Sequence, residues 1–536
     1  MSIDKLDLQS PDLVNANFEK LAALFPNCVT ESANGKAIDF DLLKQELNHA
    51  VVEGTKERYR LEWPGKREAI VTANLPITKT LRPVREDSVD FDNTENLYIE
   101  GDNLEILKLL QESYLGKIKM IYIDPPYNTG NDFVYNDNFT GDKETELFES
   151  GQKDEYNQRL VVNPETAGRY HSDWLTMIYP RLKLARNLLR EDGIIFLSID
   201  DIELQNLRKL CDEIFGDTNF VANFIWEKRT NRENRKTVSY RHDNILCYRK
   251  ASRFEKPLNQ LPMNEKALAN YKNPDKDIRG PWKSDPATAQ AGHGTKSQFY
   301  TLVAPNGTKH ELNSGRCWLY TEEVMNEAIR DNRIWFGLKG NGVPRIKTYL
   351  HSKERGLTPE TIIFSKHAGT NESAKNELKD LFDGVAVFET PKPVNLIKFL
   401  LQISTENDIV LDFFSGSSVA AHAVLELNAE DGGNRTFIQV QLPEITANDS
   451  EAYQTGYKNI CEIGKERIRR AGKAILKNQM SLLSAKKAEL EKLTKGQLPM
   501  EGDEKIETIK SEIENLQLTI DNLDTGFRVY RLADSN

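Results

Sequence analysis

The stretch IKMIYIDPPY, Ile118 to Tyr127, decides the fold. Its first six residues are apolar apart from Lys119, a short run that reads as a buried strand closed by turn formers. Pro125 and Pro126 stop the strand, remove two backbone donors and fix φ, so the neighbouring carbonyls point in set directions. An acid, a rigid turn and an aromatic at the carboxyl end of a strand suit one task. Asp124 and the Pro125 carbonyl accept both hydrogens of an exocyclic amine, the Tyr127 ring stacks on the base that carries it, and the nitrogen lone pair faces an electrophile. The same four residues also occur as a plain strand exit, so the surrounding chain has to separate the two readings.

Outward from this strand, residues 96–226 alternate strand and helix. Leu97 to Ile99 is a short strand followed by Gly101-Asp102-Asn103 and a helix through Leu110. Residues 128–170 form a long polar loop dotted with Phe133, Tyr135 and Phe139, a length usually associated with function or disorder. Trp174 to Leu189 is helical, and Gly193 to Asp200 is a second buried strand. This alternation predicts a parallel sheet with helices on both faces. It resumes with a strand at Asp408 to Phe413, a small-residue turn at Phe414 to Ser418, a helix at Val419 to Leu427 and a strand at Arg435 to Leu442.

Between these halves lies a stretch of different composition. Residues 225–380 carry 28 Lys and Arg against 18 Asp and Glu, in a chain whose net charge is −11. A basic section inside an acidic protein marks a localised polyanion site, although a solvated basic face has the same composition. The run from Lys228 to Lys236 is densely basic, and Trp282, Trp318, Trp335 and Phe336 are interleaved with Arg279, Arg316, Arg333, Arg345 and Lys347. Trp318 and Trp335 are expected in the core of this section ahead of any base contact.

The expected organisation is an N-terminal helical arm over 1–95, the two catalytic halves at 96–226 and 381–475, and an inserted recognition domain at 227–380. A helical hairpin follows at 476–525, then a tail at 526–536. Ser10-Pro11-Asp12 reads as the cap of the first helix, whose apolar positions are Leu13, Phe18, Leu21 and Phe25. Ile506, Ile509, Ile513, Leu516, Ile520 and Leu523 keep heptad spacing, with a weaker stripe at Leu476, Leu483, Leu490 and Leu493 and a turn around Pro499. The five cysteines form no CxxC pair, which argues against a zinc site or disulfide framework. No secretory signal and no bilayer-length apolar run is visible, so a cytoplasmic location is expected.

The turn after Asp412 supplies the second half of a site. Small residues between a strand and a helix let backbone approach a ligand, and the helix N-terminus adds donors. In open α/β sheets ligands lie beyond the carboxyl ends of strands, where strand order reverses. Fold topology can therefore unite Asp102, Asp124 and Gly416 across a long insertion.

The set DPPY, then KPVNLI (Lys392 to Ile397), then DFFSGSS (Asp412 to Ser418) resembles the β class of amino-group DNA methyltransferases, in which the base-binding motif precedes the S-adenosylmethionine motif. ERYRLEWPGK, GDNLEILKLL, IDPPYNTGNDF, HSDWLTMIYPRL, RIWFGLKGNGVPR, GKERIRRAGK and the terminal GFRVYRL resemble, more narrowly, the modification (Mod) subunit of type III restriction–modification systems. The similarity runs over nearly the whole chain. It implies a Rossmann-like, S-adenosylmethionine-dependent α/β fold with permuted motif order, and methyl transfer to adenine N6 in double-stranded DNA. It also implies a homodimer and a separate restriction (Res) subunit that carries ATPase and nuclease.

Carried onto this sequence, the resemblance assigns Asp124, Pro125, Pro126 and Tyr127 to the flipped adenine. Asp412, Phe414, Gly416 and Ser418 fall to the cofactor's methionine end, Lys392 and Pro393 to its pocket, and Asp102 to its adenine side. Gln441 stands where an acid is expected to hold the ribose, unless Glu444 reaches back; a further family glycine is replaced at Ser417 or Ser418. Lys228, Arg229, Arg232, Arg235, Lys236 and Arg345 are the candidate DNA contacts, of residue types suited to phosphates and base edges.

Cytosine C5 methylation needs a cysteine nucleophile in a Pro-Cys pair, and no cysteine here follows a proline. N4-cytosine methylation uses the same geometry and is the alternative, with Asp rather than Ser at position 124 favouring adenine. A DNA-binding scaffold without activity is the rival of another class. No GxxxxGK[ST] loop for ATP is present.

Overall fold

The computed structural model describes residues 13–32, 35–48, 61–129, 133–135, 160–162, 170–233, 237–254, 256–352, 356–496 and 503–535. Its centre is a sheet of ten strands. In chain order these are β1 (Lys79–Pro83), β2 (Leu97–Glu100), β3 (Ile118–Ile123), β4 (Leu189–Ile199), β5 (Phe220–Glu227), β6 (His242–Arg249), β7 (Ile362–Ile363), β8 (Ile409–Asp412), β9 (Thr436–Gln441) and β10 (Arg528–Asp534). Across the sheet the order is β7-β5-β6-β4-β3-β8-β9-β2-β10-β1.

The central run β4-β3-β8-β9-β2-β10 is parallel throughout. Such strands are covered on both faces, which explains why they read as unbroken apolar runs. Met120, Ile121, Tyr122 and Ile123 are all fully buried. Helices Asn103–Tyr114 and Tyr170–Leu188 pack against each other, as do Val394–Gln402 and Val419–Asp431. From β3 the chain goes on to β4 on one side, and from β8 to β9 on the other. Strand order therefore reverses between β3 and β8, the position where a ligand crevice opens.

Three features depart from the sequence reading. First, the inserted unit is Gln260–Pro359 rather than 227–380. The residues before it form β5 and β6, an antiparallel hairpin that extends the large sheet through Asn244↔Ile199 to Arg249↔Ile194, and β7 after it pairs with β5. Second, the expected C-terminal tail holds β10, which lies between β2 and β1. Third, the N-terminal arm supplies β1, the edge strand beside β10. The remainder of that arm includes the helix Leu13–Leu24, whose expected cap lies outside the described residues.

Two long helices, Ile460–Gly496 and Asp503–Asn522, form the hairpin, and their expected turn is outside the described residues. Lys486 meets Glu512 at 2.6 Å and Lys505 meets Glu489 at 3.9 Å, pairs that fix antiparallel register. Most of the 128–170 loop is likewise outside the described residues, apart from a short antiparallel pair at Phe133–Tyr135 and Leu160–Val162.

The inserted unit has its own small core, including Leu302, Trp318, Met325, Ile334 and Phe336. Trp318 is buried, and its indole N–H donates to the Tyr300 carbonyl at 2.8 Å, in line with the core expectation. Trp335 packs on Trp282 with ring centroids 5.3 Å apart. The buried Lys347 ammonium is held by Asp275 and, at 3.0 Å, by Asp277, which also takes the Tyr349 hydroxyl at 2.7 Å and Arg279 at 2.9 Å. A buried charge is tolerated only when paired in this way.

Candidate active site

The carboxyl ends of β3 and β8 open on a cavity of about 440 Å³. Asp124, Pro125, Pro126 and Tyr127 form one wall, and Asp412, Phe414, Ser415, Gly416 and Ser417 the wall opposite. Lys392, Lys228 and Asp243 close it on a third side, and Gln441 and Glu444 lie at the end of β9.

The Asp-Pro-Pro-Tyr turn is anchored from behind. Trp174 donates its indole N–H to the Pro126 carbonyl at 2.8 Å. Asn128, at φ 60°, is fully buried and donates to the Glu203 carboxylate at 2.6 Å, which also meets His171 Nδ1 at 2.6 Å. With its back fixed, the turn presents its front to the cavity. There Asp124 Oδ2 accepts from Lys392 Nζ at 2.5 Å, while Asp124 Oδ1 and the Tyr127 hydroxyl are buried without a partner of hydrogen-bond geometry. Burial, then the adjacent Asp124 carboxylate, raises the Tyr127 phenol well above its ordinary range, so it stays neutral.

The opposite wall is a tight turn. Asp412 accepts the Phe414 N–H at 3.1 Å, and burial, with the Asp124 charge adding to it, raises its carboxyl well above the usual range. Gly416 has φ +49°, and its N–H donates to Gln441 Oε1 at 2.7 Å. Ser418 also stands in the left-handed region, at φ 63° and ψ 41°. That conformation accounts for the glycine expected near this position, because a side chain there is strained. Ser417 Oγ accepts from the buried Arg467 at 2.8 Å, whose guanidinium burial pulls down to about 10.

Residues 118–472 match the family model N6_N4_Mtase, described as DNA methylase. The StyLTI Mod subunit of Salmonella typhimurium is 37% identical over 449 residues, covering 82% of this chain and 67% of that protein. The EcoPI Mod subunit of Escherichia phage P1 is 37% identical over 501 residues, covering 85% of this chain and 75% of its own. For the EcoP15I Mod subunit of Escherichia coli the identity is 34% over 513 residues, with coverages of 86% and 76%. The chain belongs to the type III Mod subunits.

In this Mod subunit the expected site residues divide into two groups. Asp124, Pro125, Pro126, Tyr127, Lys392, Asp412, Phe414, Gly416 and Gln441 share the cavity. Asp102, Pro393 and Ser418 do not line it. Asp102 caps helix Asn103–Tyr114 by accepting the Glu105 N–H at 3.1 Å, and lies 3.7 Å from Arg181. The neighbouring Asn103 reaches the turn instead, donating to the Phe413 carbonyl at 2.8 Å. Pro393 is the N-cap of helix Val394–Gln402. Ser418 Oγ faces Gly464 and the Tyr98 hydroxyl; a methyl group on Gly464 would come within 2.6 Å of it.

Gln441 is fully employed within the protein. Its Oε1 holds the Gly416 N–H, and its Nε2 donates to Leu442 O at 3.2 Å and to Glu444 Oε1 at 3.3 Å. The glutamine thus links the glycine turn to an acid one turn of chain further on.

The basic candidates are scattered. Lys228 lies in the cavity wall and pairs with the buried Asp243 at 2.6 Å. Arg229 donates to the Tyr240 carbonyl at 2.7 Å, Arg232 is exposed, and Arg235 and Lys236 are outside the described residues. Arg345, in the inserted unit, is tied to Ser284 at 3.0 and 2.9 Å. Trp174, Asn128, Glu203, Asp243 and Arg467 escaped the sequence reading. Each acts through a partner distant in sequence, so even Asn128, Trp174 and Arg467, which stand within the strings quoted above, carried no local sign of a role.

Asp200, at the end of β4, offers a pH-dependent check on this edge of the sheet. Burial, and to a smaller degree the Asp243 charge, pushes its carboxyl up to about 6, although the Ile202 N–H bond works the other way. A raised folded-state value means that ionisation costs stability. The cost is absent below about pH 4 and complete above about pH 6. Asp200→Asn keeps an acceptor for Ile202. Allowing for solvent screening of a half-buried group, it should gain about 1 kcal/mol at pH 8 and nothing at pH 4, measured by urea unfolding at both.

Proposed function

We propose that this DNA methyltransferase methylates adenine N6 in duplex DNA, with S-adenosylmethionine as donor and the target base turned out of the stack into the cavity. The observation that carries the reading is that Asp124, its Oδ2 held by Lys392 and its buried Oδ1 without a partner of hydrogen-bond geometry, lines the same cavity as the Gly416 turn. A buried acceptor left open in the protein is costly, and an entering amine satisfies it.

The cavity suits the cofactor. Its charged lining is matched in sign, Asp124 with Lys392 and Asp243 with Lys228. Ser415 Oγ is buried without a hydrogen-bond partner, and Phe388, Phe414 and Pro391 give apolar wall. When bound, S-adenosylmethionine supplies an electrophilic methyl group on a sulfonium. Phe414, Ser415 and Gly416 would hold its methionine end. Glu444 would take the ribose hydroxyls, since Gln441 is committed to the turn.

An adenine amine is weakly nucleophilic because its lone pair is delocalised into the ring. Asp124 and the Pro125 carbonyl accept its two hydrogens and favour a pyramidal nitrogen with a localised pair, while Tyr127 stacks on the ring. Positioning and fixed electrostatics do most of the work, and no strong base acts before attack. Asp124 would also receive the proton that the alkylated nitrogen sheds. Unstacking the base costs a few kcal/mol, partly offset by these contacts.

The basic hairpin loop after β5 leaves the sheet at the carboxyl end of β4, beside the cavity, where it suits phosphate contact; the 260–359 unit is the proposed reader of sequence. The relatives' names place them in restriction–modification enzymes. We extend to this chain a restriction partner, a homodimeric state and action on cytoplasmic DNA. No helix among the described residues is long and apolar enough to cross a membrane.

Labelled S-adenosylmethionine and unmethylated genomic DNA, followed by nucleoside analysis, test the proposal. N6-methyladenine is the expected product. N4-methylcytosine would move the target base and keep the site chemistry, and absence of product with DNA bound would leave only a scaffold.

A further inference from the structure

We infer that Lys392 is a positioning residue for Asp124: its ammonium fixes the carboxylate through Oδ2, so that the acceptor is held in place before the amine arrives. This rests on the methyl-transfer reading above and departs from the cofactor contact that the motif order implies. Lys392 Nζ lies 2.5 Å from Asp124 Oδ2 and 5.0 Å from the centroid of the Tyr127 ring. One cation therefore touches both side chains proposed to grip the base. It is itself only 8% exposed, so solvent does not substitute for it.

The backbone that carries it is unusually constrained. Lys392 stands between Pro391 and Pro393, and Pro393 caps helix Val394–Gln402. A residue before proline is held extended, and each proline fixes its own φ. The ammonium consequently swings from a rigid base, as a positioning group requires.

The alternative claimants are already served. Asp243 is paired with Lys228 at 2.6 Å, and Asp412 takes the Phe414 N–H. Without Lys392, Asp124 would lose the contact that holds its carboxylate in place. The cation–carboxylate pair thus orients the acceptor before the base arrives, where orientation contributes most to rate.

Lys392→Met and Lys392→Arg test this, with Asp124→Ala alongside. Calorimetric titration with S-adenosylmethionine reports both folding and cofactor affinity, and methylation of unmethylated genomic DNA gives kcat and KM. The methionine variant should bind cofactor within about threefold of wild type, hold KM for DNA within about threefold and lose kcat at least about tenfold. Arginine should restore part of the rate, because it can still pair with Oδ2. Retained kcat at saturating cofactor with tenfold weaker cofactor binding would overturn the inference and return Lys392 to the cofactor. Unchanged kinetics would overturn it as well. Full activity in Asp124→Ala would instead bring down the reading of the site on which it rests.

Discussion

Asp124→Ala is expected to lower kcat for methyl transfer about 1,000-fold, or about 4 kcal/mol, while S-adenosylmethionine still binds. The size follows from what the side chain does. It is the charged acceptor for the target amine, and no neighbouring group replaces it. Asp412 is engaged by the Phe414 N–H and Asp243 by Lys228, so neither can turn toward the base. Stability should change little by comparison. The Lys392 ammonium keeps Asp243 as a neighbouring counter-charge, and the Pro126 carbonyl remains anchored by Trp174. Asp124→Asn keeps an acceptor oxygen but loses the ion pair with Lys392, and should fall between wild type and alanine. Single-turnover methylation with excess enzyme isolates this step from product release. A rate within tenfold of wild type in the alanine variant would remove Asp124 from the chemistry.

The sheet centre and the cavity walls were legible because they depend on local covalent facts. Ile118 to Ile123 can be little but a buried strand, and two prolines after Asp124 define a turn whatever surrounds them. Gly416 and its neighbours likewise announce a close backbone approach. The edges of the sheet were not legible. Residues 220–227 and 242–249 flank a basic loop, so composition assigned that loop's surroundings to an inserted domain, although the two strands complete the catalytic sheet. Arg528–Asp534 alternates in a way that suits a strand, but its partners, Leu97–Glu100 and Lys79–Pro83, lie more than 400 residues earlier. Pairing at such separation leaves no periodic trace. The same holds within the site. Ser418 was visible as a departure from a glycine, whereas its left-handed backbone and its turn toward Tyr98 depend on a helix that begins at Ile460. Asp102 caps the following helix, a role that sequence alone does not separate from meeting a ligand, since an acid after a strand suits either.

Gly416→Val should weaken S-adenosylmethionine binding about 100-fold and leave duplex binding nearly unchanged. At φ +49° a side chain already costs about 1–2 kcal/mol, and a β-branched one is an outlier in that region. A Cβ built on Gly416 also meets Phe388 Cζ at 3.4 Å, and Phe388 is part of the cavity wall. Relief requires the turn to rotate. Rotation withdraws the Gly416 N–H from Gln441 Oε1, and Gln441 in turn holds Glu444, so the methionine and ribose ends of the proposed cofactor site fail together. Gly416→Ala carries the backbone strain with less steric conflict, and should weaken binding about tenfold. Calorimetric titration of the three proteins gives the order directly, with filter retention of labelled duplex DNA as the control. An unchanged cofactor affinity in the valine variant would place the cofactor away from this turn. Equal losses of cofactor and DNA binding would show that the substitution disturbs the sheet as a whole, since β8 leads into this turn and pairs with β9 in the core.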